Sequence, residues 1–202
     1  MSTPERIVLA SANPKKADEL RAILSASGLD VELLGRPDDV AEVVEDAPDF
    51  VGNARLKAVA LAGATGEWAL ADDSGLEVDA LGGEPGVRSA RFAGASADDA
   101  ANVDRLLAEL GRVGAVDPAE RSARFRCTIV LRSPDGVELV AEGAVEGRVL
   151  DGPRGAGGFG YDPVFVPDEG DGRTFAEMTA AEKHAISHRG RALTALVARL
   201  TA

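Results

Sequence analysis

The chain is poor in the residues that make cross-links, metal cages and membrane spans. Its 202 residues include one cysteine, Cys127, so no disulfide can close within it, and a lone thiol fits a reducing compartment. Cys127 lies in a strand-like run, residues 124–131, where a buried structural thiol is expected rather than a nucleophile. No apolar run is long enough to cross a bilayer, and residues 1–6 hold no apolar core of signal-peptide length. The expected location is the cytoplasm, with no membrane partner. Basic residues are the minority, 22 Lys+Arg against 34 Asp+Glu, for a net charge of −12. That balance argues against a nucleic-acid partner, because phosphate backbones are attracted to clustered cations. It leaves room for a small anion in a locally basic pocket. Walker, H-E-x-x-H, G-x-S-x-G and cysteine–histidine zinc patterns are all missing. Motor-type nucleotide hydrolysis, zinc proteolysis and serine hydrolysis lose their usual signatures with them. No repeat or low-complexity tract appears.

What remains is an ordinary globular composition, 45% hydrophobic and 28% charged, in a chain long enough to bury a real core. A single domain over 1–202 is expected. The stretch around which it is organised is Ala71-Asp72-Asp73-Ser74-Gly75, after the apolar run Trp68-Ala69-Leu70. Two carboxylates at a strand end can hold a hard cation such as Mg²⁺, and one can take a proton from an attacking water. Taken alone, the tetrapeptide reads first as a solvated acidic turn, and it is the company it keeps elsewhere in the chain that favours the chemistry.

Before it, Ile7-Val8-Leu9-Ala10 reads as a strand, followed by Ser11-Ala12-Asn13-Pro14-Lys15-Lys16 and a helix presenting Leu20, Ile23 and Leu24. Asn13 suits an N-cap and Pro14 the first helical position, with Gly28 as the stop. A strand, a polar loop and a helix N-terminus together suit an anion, and Lys16 adds a full charge. Residues 31–34 read as a strand. Glu45 lies in an acidic loop ahead of a helix over about 50–64, with Leu56, Val59, Ala60 and Gly63 at helical spacing. A helix over about 98–110 presents Val103, Leu106, Leu107 and Leu110. Strands over 123–131 and 137–149 form a hairpin about Ser133-Pro134-Asp135-Gly136.

Residues 155–160 spell G-x-G-x-x-G, but no strand leads in and Tyr161-Asp162-Pro163 follows instead of a helix. A dinucleotide fold is therefore rejected. These glycines are expected to let the backbone pass close to a ligand or to another segment. Thr179-x-x-Glu182 makes a capping box. Ser187-His188-Arg189-Gly190 should break the chain before a last helix burying Leu193, Leu196, Val197 and Leu200. Collected, Lys16, Lys183 and Arg189 supply cations, Glu45, Asp72 and Asp73 a candidate metal cluster, and Phe159, Tyr161 and His188 a border for a planar ring. Such an inventory suits a base-bearing polyphosphate with Mg²⁺.

In this order the motifs resemble those of the inosine/xanthosine triphosphate pyrophosphatase family. Ser11-x-Asn13-x-x-Lys16, Glu45 with Phe50-x-x-Asn53-Ala54, and Ala71-Asp72-Asp73-Ser74-Gly75-Leu76 carry the first half of the likeness. Gly82-Gly83-x-Pro85-Gly86, Ser89-Ala90-Arg91, residues 157–163 and Glu182-Lys183-x-x-x-Ser187-His188-Arg189-Gly190 carry the rest. The resemblance implies an elongated α/β fold of two lobes around a long mixed sheet flanked by helices, with the active site in the cleft between lobes. It also implies a homodimer and Mg²⁺-dependent hydrolysis of dITP, ITP and XTP to monophosphate and pyrophosphate. Asp73 would accept the proton and share the metal with Glu45, Asp72 supporting. Ser11, Asn13, Lys15, Lys16 and Ser74 would hold phosphates, while Phe159, Gly160, Tyr161, Asp162, Lys183, His188 and Arg189 would surround the nucleoside. One position departs: the family often reads Phe-x-Glu-Asn where this chain has Gly52 before Asn53. A pyrophosphatase for other modified nucleotides and a non-catalytic nucleotide sensor are the competing readings.

Overall fold

The computed structural model describes residues 4–11 and 13–201. Six strands form one mixed sheet in the order β2-β1-β3-β4-β5-β6. They are β1 (Arg6–Leu9), β2 (Glu32–Leu34), β3 (Trp68–Val78), β4 (Ser122–Arg132), β5 (Glu138–Val149) and β6 (Phe165–Pro167). The helices are α1 (Pro14–Ala26), α2 (Phe50–Thr65), α3 (Asp99–Arg112), α4 (Ala180–Ile186) and α5 (His188–Leu200). β1 runs parallel to both β2 and β3, with Ile7 beside Trp68 and Leu9 beside Leu70. β6 runs antiparallel to β5, with Phe165 beside Val149. Among the described residues no helix is long and apolar enough to cross a membrane.

The chain divides into two compact units. The first holds Met1–Asp73, Cys127–Gly143 and Arg189–Ala202. Its sheet is buried on both faces, and side chains alternate between them as strand geometry requires. Ile7, Leu9, Leu70, Ile129 and Leu131 point to one face, where Leu20 and Leu24 of α1 and Leu193, Leu196 and Leu200 of α5 cover them. Val8, Ala69, Ala71 and Val130 point to the other, against Ala54, Ala58, Leu61 and Ala62 of α2.

The second unit holds Ser74–Arg126 and Ala144–His188. Its core gathers Leu76, Val103, Leu106, Leu110, Val145, Val149 and Val164 around an aromatic group. Phe125 meets Phe165 edge-on with centroids 4.7 Å apart, and Phe175 packs 5.3 Å from Phe165.

Three expectations need correction. Asp72 to Gly75 do not turn: β3 runs through them to Val78. The polar residues sit in the strand because their carboxylates find cations on both faces, which outweighs the turn preference of Asp, Ser and Gly. The second correction concerns α2, whose Leu56 and Val59 are exposed while Phe50, Asn53, Ala54, Ala58, Leu61 and Ala62 face inward. The small alanines win that face because they let α2 lie close on the equally small Ala69 and Ala71. Third, the break near residue 187 is Ser187 alone. His188, Arg189 and Gly190 are already the first turn of α5, and His188 and Arg189 are buried. The hairpin, α1 with its Asn13 cap, α3 and the Thr179–Glu182 capping box all form as expected.

Candidate active site

The alternation of β3 separates its two acidic residues. Asp72 continues the face of Leu70 and meets Lys16 of α1 (Nζ to Oδ2, 3.7 Å) and Arg189 of α5 (3.4 Å). Arg189 is itself paired with Glu19. Burial works against the Asp72 carboxylate, but Lys16, Arg189 and Lys57 outweigh it and hold it well below the usual carboxylate range. Arg189 stays firmly charged: its burial is overcome by Asp72 and Glu19.

Asp73 continues the face of Ala71 and meets α2. Asn53 donates to its Oδ2 at 3.2 Å, and Lys57 lies 3.5 Å from its Oδ1. One helical turn separates Asn53 from Lys57, so both reach the same carboxylate. The Lys57 ammonium also lies 3.2 Å from Glu45. The Ala47 amide donates to Asn53 Oδ1 at 3.0 Å and so ties the acidic loop to the same group. Burial pushes the Asp73 carboxyl above its usual range, against the pull of Lys57 and Lys16. Two neighbouring carboxylates are thus tuned in opposite directions, one locked as an ion and one closer to accepting a proton.

The expected trio of Glu45, Asp72 and Asp73 is not formed. Among the described residues no three His, Cys, Asp or Glu side chains gather as a metal cage. The pair Glu45 and Asp73 does converge, on the single Lys57 ammonium. Two hard oxygen donors around one positive charge suit Mg²⁺, which binds through one or two carboxylates, waters and substrate phosphates.

Asn13 caps α1, its Oδ1 accepting from the Lys15 and Lys16 amides at 3.0 and 3.3 Å. Those two amides are therefore engaged, and cationic character at this helix start comes chiefly from the lysine side chains. Ser11 donates from Oγ to the Asn13 carbonyl. Ser74 follows on β3, half-buried.

The second unit holds the remaining expected residues together. Asp162 Oδ2 accepts from Lys183 Nζ at 2.7 Å and from the Phe159 amide at 2.8 Å. Lys183 Nζ also lies 4.8 Å from the centre of the Phe159 ring. A Cβ on Gly158 would lie 2.1 Å from the Asp162 carboxylate, and its φ of +70° is one that glycine adopts without strain. A Cβ on Gly155 would run into the Ala176 carbonyl at 2.6 Å, so the glycine run does permit close passage of another segment. The Gly160 amide donates to Asp99 at 2.9 Å, and the Tyr161 hydroxyl donates to the Ser89 carbonyl at 2.9 Å. Burial and the Asp99 charge push that phenol up. His188 stacks on Phe125, centroids 4.7 Å apart and planes within 10°. Lys57, Glu19 and Asp99 were not singled out from sequence, while Ser89 stood there only as part of a motif. Of those three, only Lys57 left a signal there, at helical spacing from Asn53.

Comparison with known proteins identifies the family. Residues 7–199 match the Ham1 family. A dITP/XTP pyrophosphatase of Streptomyces avermitilis is 51% identical over 194 residues, 95% of each chain. One of Frankia alni is 53% identical over 192 residues, 93% of each chain. Among solved structures, a HAM1 protein from Coxiella burnetii superposes with a TM-score of 0.87 at 41% identity, covering 97% of this chain and 98% of its own. With the match running from within β1 into the last turn of α5 and through both acidic residues of β3, the chain belongs to the Ham1 family.

Proposed function

We propose that this chain hydrolyses deaminated purine nucleoside triphosphates (dITP, ITP and XTP) to the monophosphate and pyrophosphate, as one catalytic domain. The observation that carries the reading is the pair of opposed carboxylates on β3: Asp73 pushed up by burial and Asp72 held down by cations. The names of the relatives supply the reaction class.

In this reading the attacking water gives its proton to the Asp73 carboxylate as its oxygen bonds to the α-phosphorus. The bond to the bridging oxygen breaks, and pyrophosphate leaves. Asn53 orients Asp73, and Asp72 fixes Lys16 and Arg189. Ser11, Asn13, Lys15, Lys16 and Ser74 attend the phosphates. Glu45 and Asp73 would hold Mg²⁺, whose charge offsets that of the phosphate oxygens and the leaving group. Phe159 offers its ring to the base, with Lys183 over its face. Gly160, Tyr161 and Asp162 shape that loop, and His188, held flat on Phe125, donates to the 6-oxo group. Adenine presents an amino donor there and leaves such donors unpaired, a mismatch that can discriminate by up to about 10⁴–10⁵. A homodimer in the cytoplasm belongs to the same proposal, on the strength of the resemblance.

The test is a panel of ITP, XTP, dITP, ATP, GTP and a modified pyrimidine triphosphate with Mg²⁺, read as pyrophosphate released. Fast turnover of the first three with slow ATP is expected. Diphosphate with orthophosphate would put the cleavage at another bond, preference for the pyrimidine would change the substrate class, and binding without turnover would make the chain a sensor.

A further inference from the structure

Loop 159–162 is held by one hydrogen bond within itself and two to the segments beside it. The Phe159 amide goes to Asp162, the Gly160 amide to Asp99, and the Tyr161 hydroxyl to the Ser89 carbonyl. Two of these three ties lead back to the start of α3. Asp99, its first helical residue, takes the Gly160 amide directly. Asn102, one turn on, takes the Ala93 amide at 2.8 Å and donates to the Ala90 carbonyl at 3.2 Å, pinning the segment that begins at Ser89. α3 does not need Asp99 as a cap, because Asp98 already accepts the Ala101 amide at 2.8 Å. The Asp99 carboxylate is therefore free of helix-capping work and aimed at the loop.

We infer that Asp99 is a positioning residue for base recognition, holding Gly160 so that the neighbouring Phe159 ring keeps one orientation under Lys183. The inference rests on the proposed function, in which that ring meets the base. Asp99 touches no reacting atom in this scheme. Its influence should appear in substrate affinity and leave the chemical step alone.

Asp99 is exposed, so its variants should fold. Asp99→Ala removes the acceptor, whereas Asp99→Asn removes the charge and keeps an oxygen for the Gly160 amide. The two are compared with the parent protein for KM and kcat on ITP, and for hydrogen exchange at the Gly160 amide. Asp99→Ala should raise KM roughly 3- to 10-fold, the effect of one ordinary hydrogen bond, with kcat unchanged and exchange at Gly160 accelerated. Asp99→Asn should restore most of both. A purely helical role, in which the acid favours the positive end of α3, predicts the opposite pattern: both variants impaired alike, which would overturn the inference. So would a parent-like KM for Asp99→Ala. Failure of the parent to hydrolyse ITP would defeat the functional reading and this role with it, a result distinct from either variant outcome.

Discussion

Asp72 and Asp73 are adjacent in the chain and belong to opposite faces of β3, the first paired with Lys16 and Arg189, the second with Lys57 and Asn53. Their stability contributions should therefore have opposite signs. Asp73 is held in an environment that disfavours its charge, so Asp73→Asn should leave the melting temperature level or raise it. The same change should lower turnover by about 10²–10⁴-fold through loss of the proton acceptor. Asp72→Asn leaves the buried Arg189 with Glu19 alone and the half-buried Lys16 without its carboxylate, and should destabilise by about 3 kcal/mol. Denaturant unfolding and ITP turnover of both variants check this. Equal destabilisation by the two, or an active Asp73→Asn, would contradict it.

Lys57 stands where Glu45 and Asp73 converge. Lys57→Met keeps the side-chain length and removes the charge, leaving two carboxylates that repel. Its melting temperature in EDTA should fall below that of the parent. Millimolar Mg²⁺ should raise it by more than it raises the parent, because a ligand bound only by the folded state stabilises in proportion to its affinity. Thermal melts with and without Mg²⁺ measure both shifts, and identical shifts would detach these carboxylates from the metal.

Cys127 is buried in the first unit's core, and burial pushes its thiol up to about 12. At pH 8 the thiolate fraction is then roughly 10⁻⁴. A thiol reagent should leave the folded protein unlabelled and titrate one thiol in denaturant. Rapid labelling of the native state would mean this core opens locally far more often than its packing implies.

Much of this architecture is legible in the sequence because it is local. The Asn13-Pro14 start of α1, the Thr179–Glu182 box and the Ser133–Gly136 hairpin each rest on residues a few positions apart. The errors share one cause, long-range packing. Asp72 to Gly75 carry turn chemistry, yet the strand persists because cations from α1, α2 and α5 converge on it. The apolar spacing of Leu56 and Val59 pointed to the wrong face of α2, since alanines matched to Ala69 and Ala71 pack closer than larger side chains can. His188 and Arg189 look like a solvated junction until Phe125, Glu19 and Asp72 surround them, and those residues lie 63, 170 and 117 positions away (188 − 125, 189 − 19, 189 − 72).

Gly52 offers the most discriminating test of how the acidic loop serves Asp73. A Cβ at this position would lie 2.5 Å from Ala47 Cβ and 2.9 Å from Asp49 Oδ1. The Ala47 amide holds Asn53, and Asn53 holds Asp73. Pushing Ala47 aside should therefore loosen the proton acceptor from a distance. Gly52→Ala gains about 0.5–1 kcal/mol of helix propensity but meets an overpacking cost of about 1–3 kcal/mol, so stability should hold or fall modestly. Turnover should fall by about tenfold if one hydrogen bond to Asp73 is weakened by 1.4 kcal/mol. Gly63, on the same helix and with nothing within 4 Å of a built Cβ, is the control: Gly63→Ala should stabilise by about 0.5–1 kcal/mol with kcat unchanged. A glutamate at position 52 carries the same Cβ, so Gly52→Glu should show the same loss unless the loop at Ala47 moves as a whole. If Gly52→Ala behaves like Gly63→Ala in both melting temperature and kcat, the chain from Ala47 through Asn53 to Asp73 has no hold on the reaction.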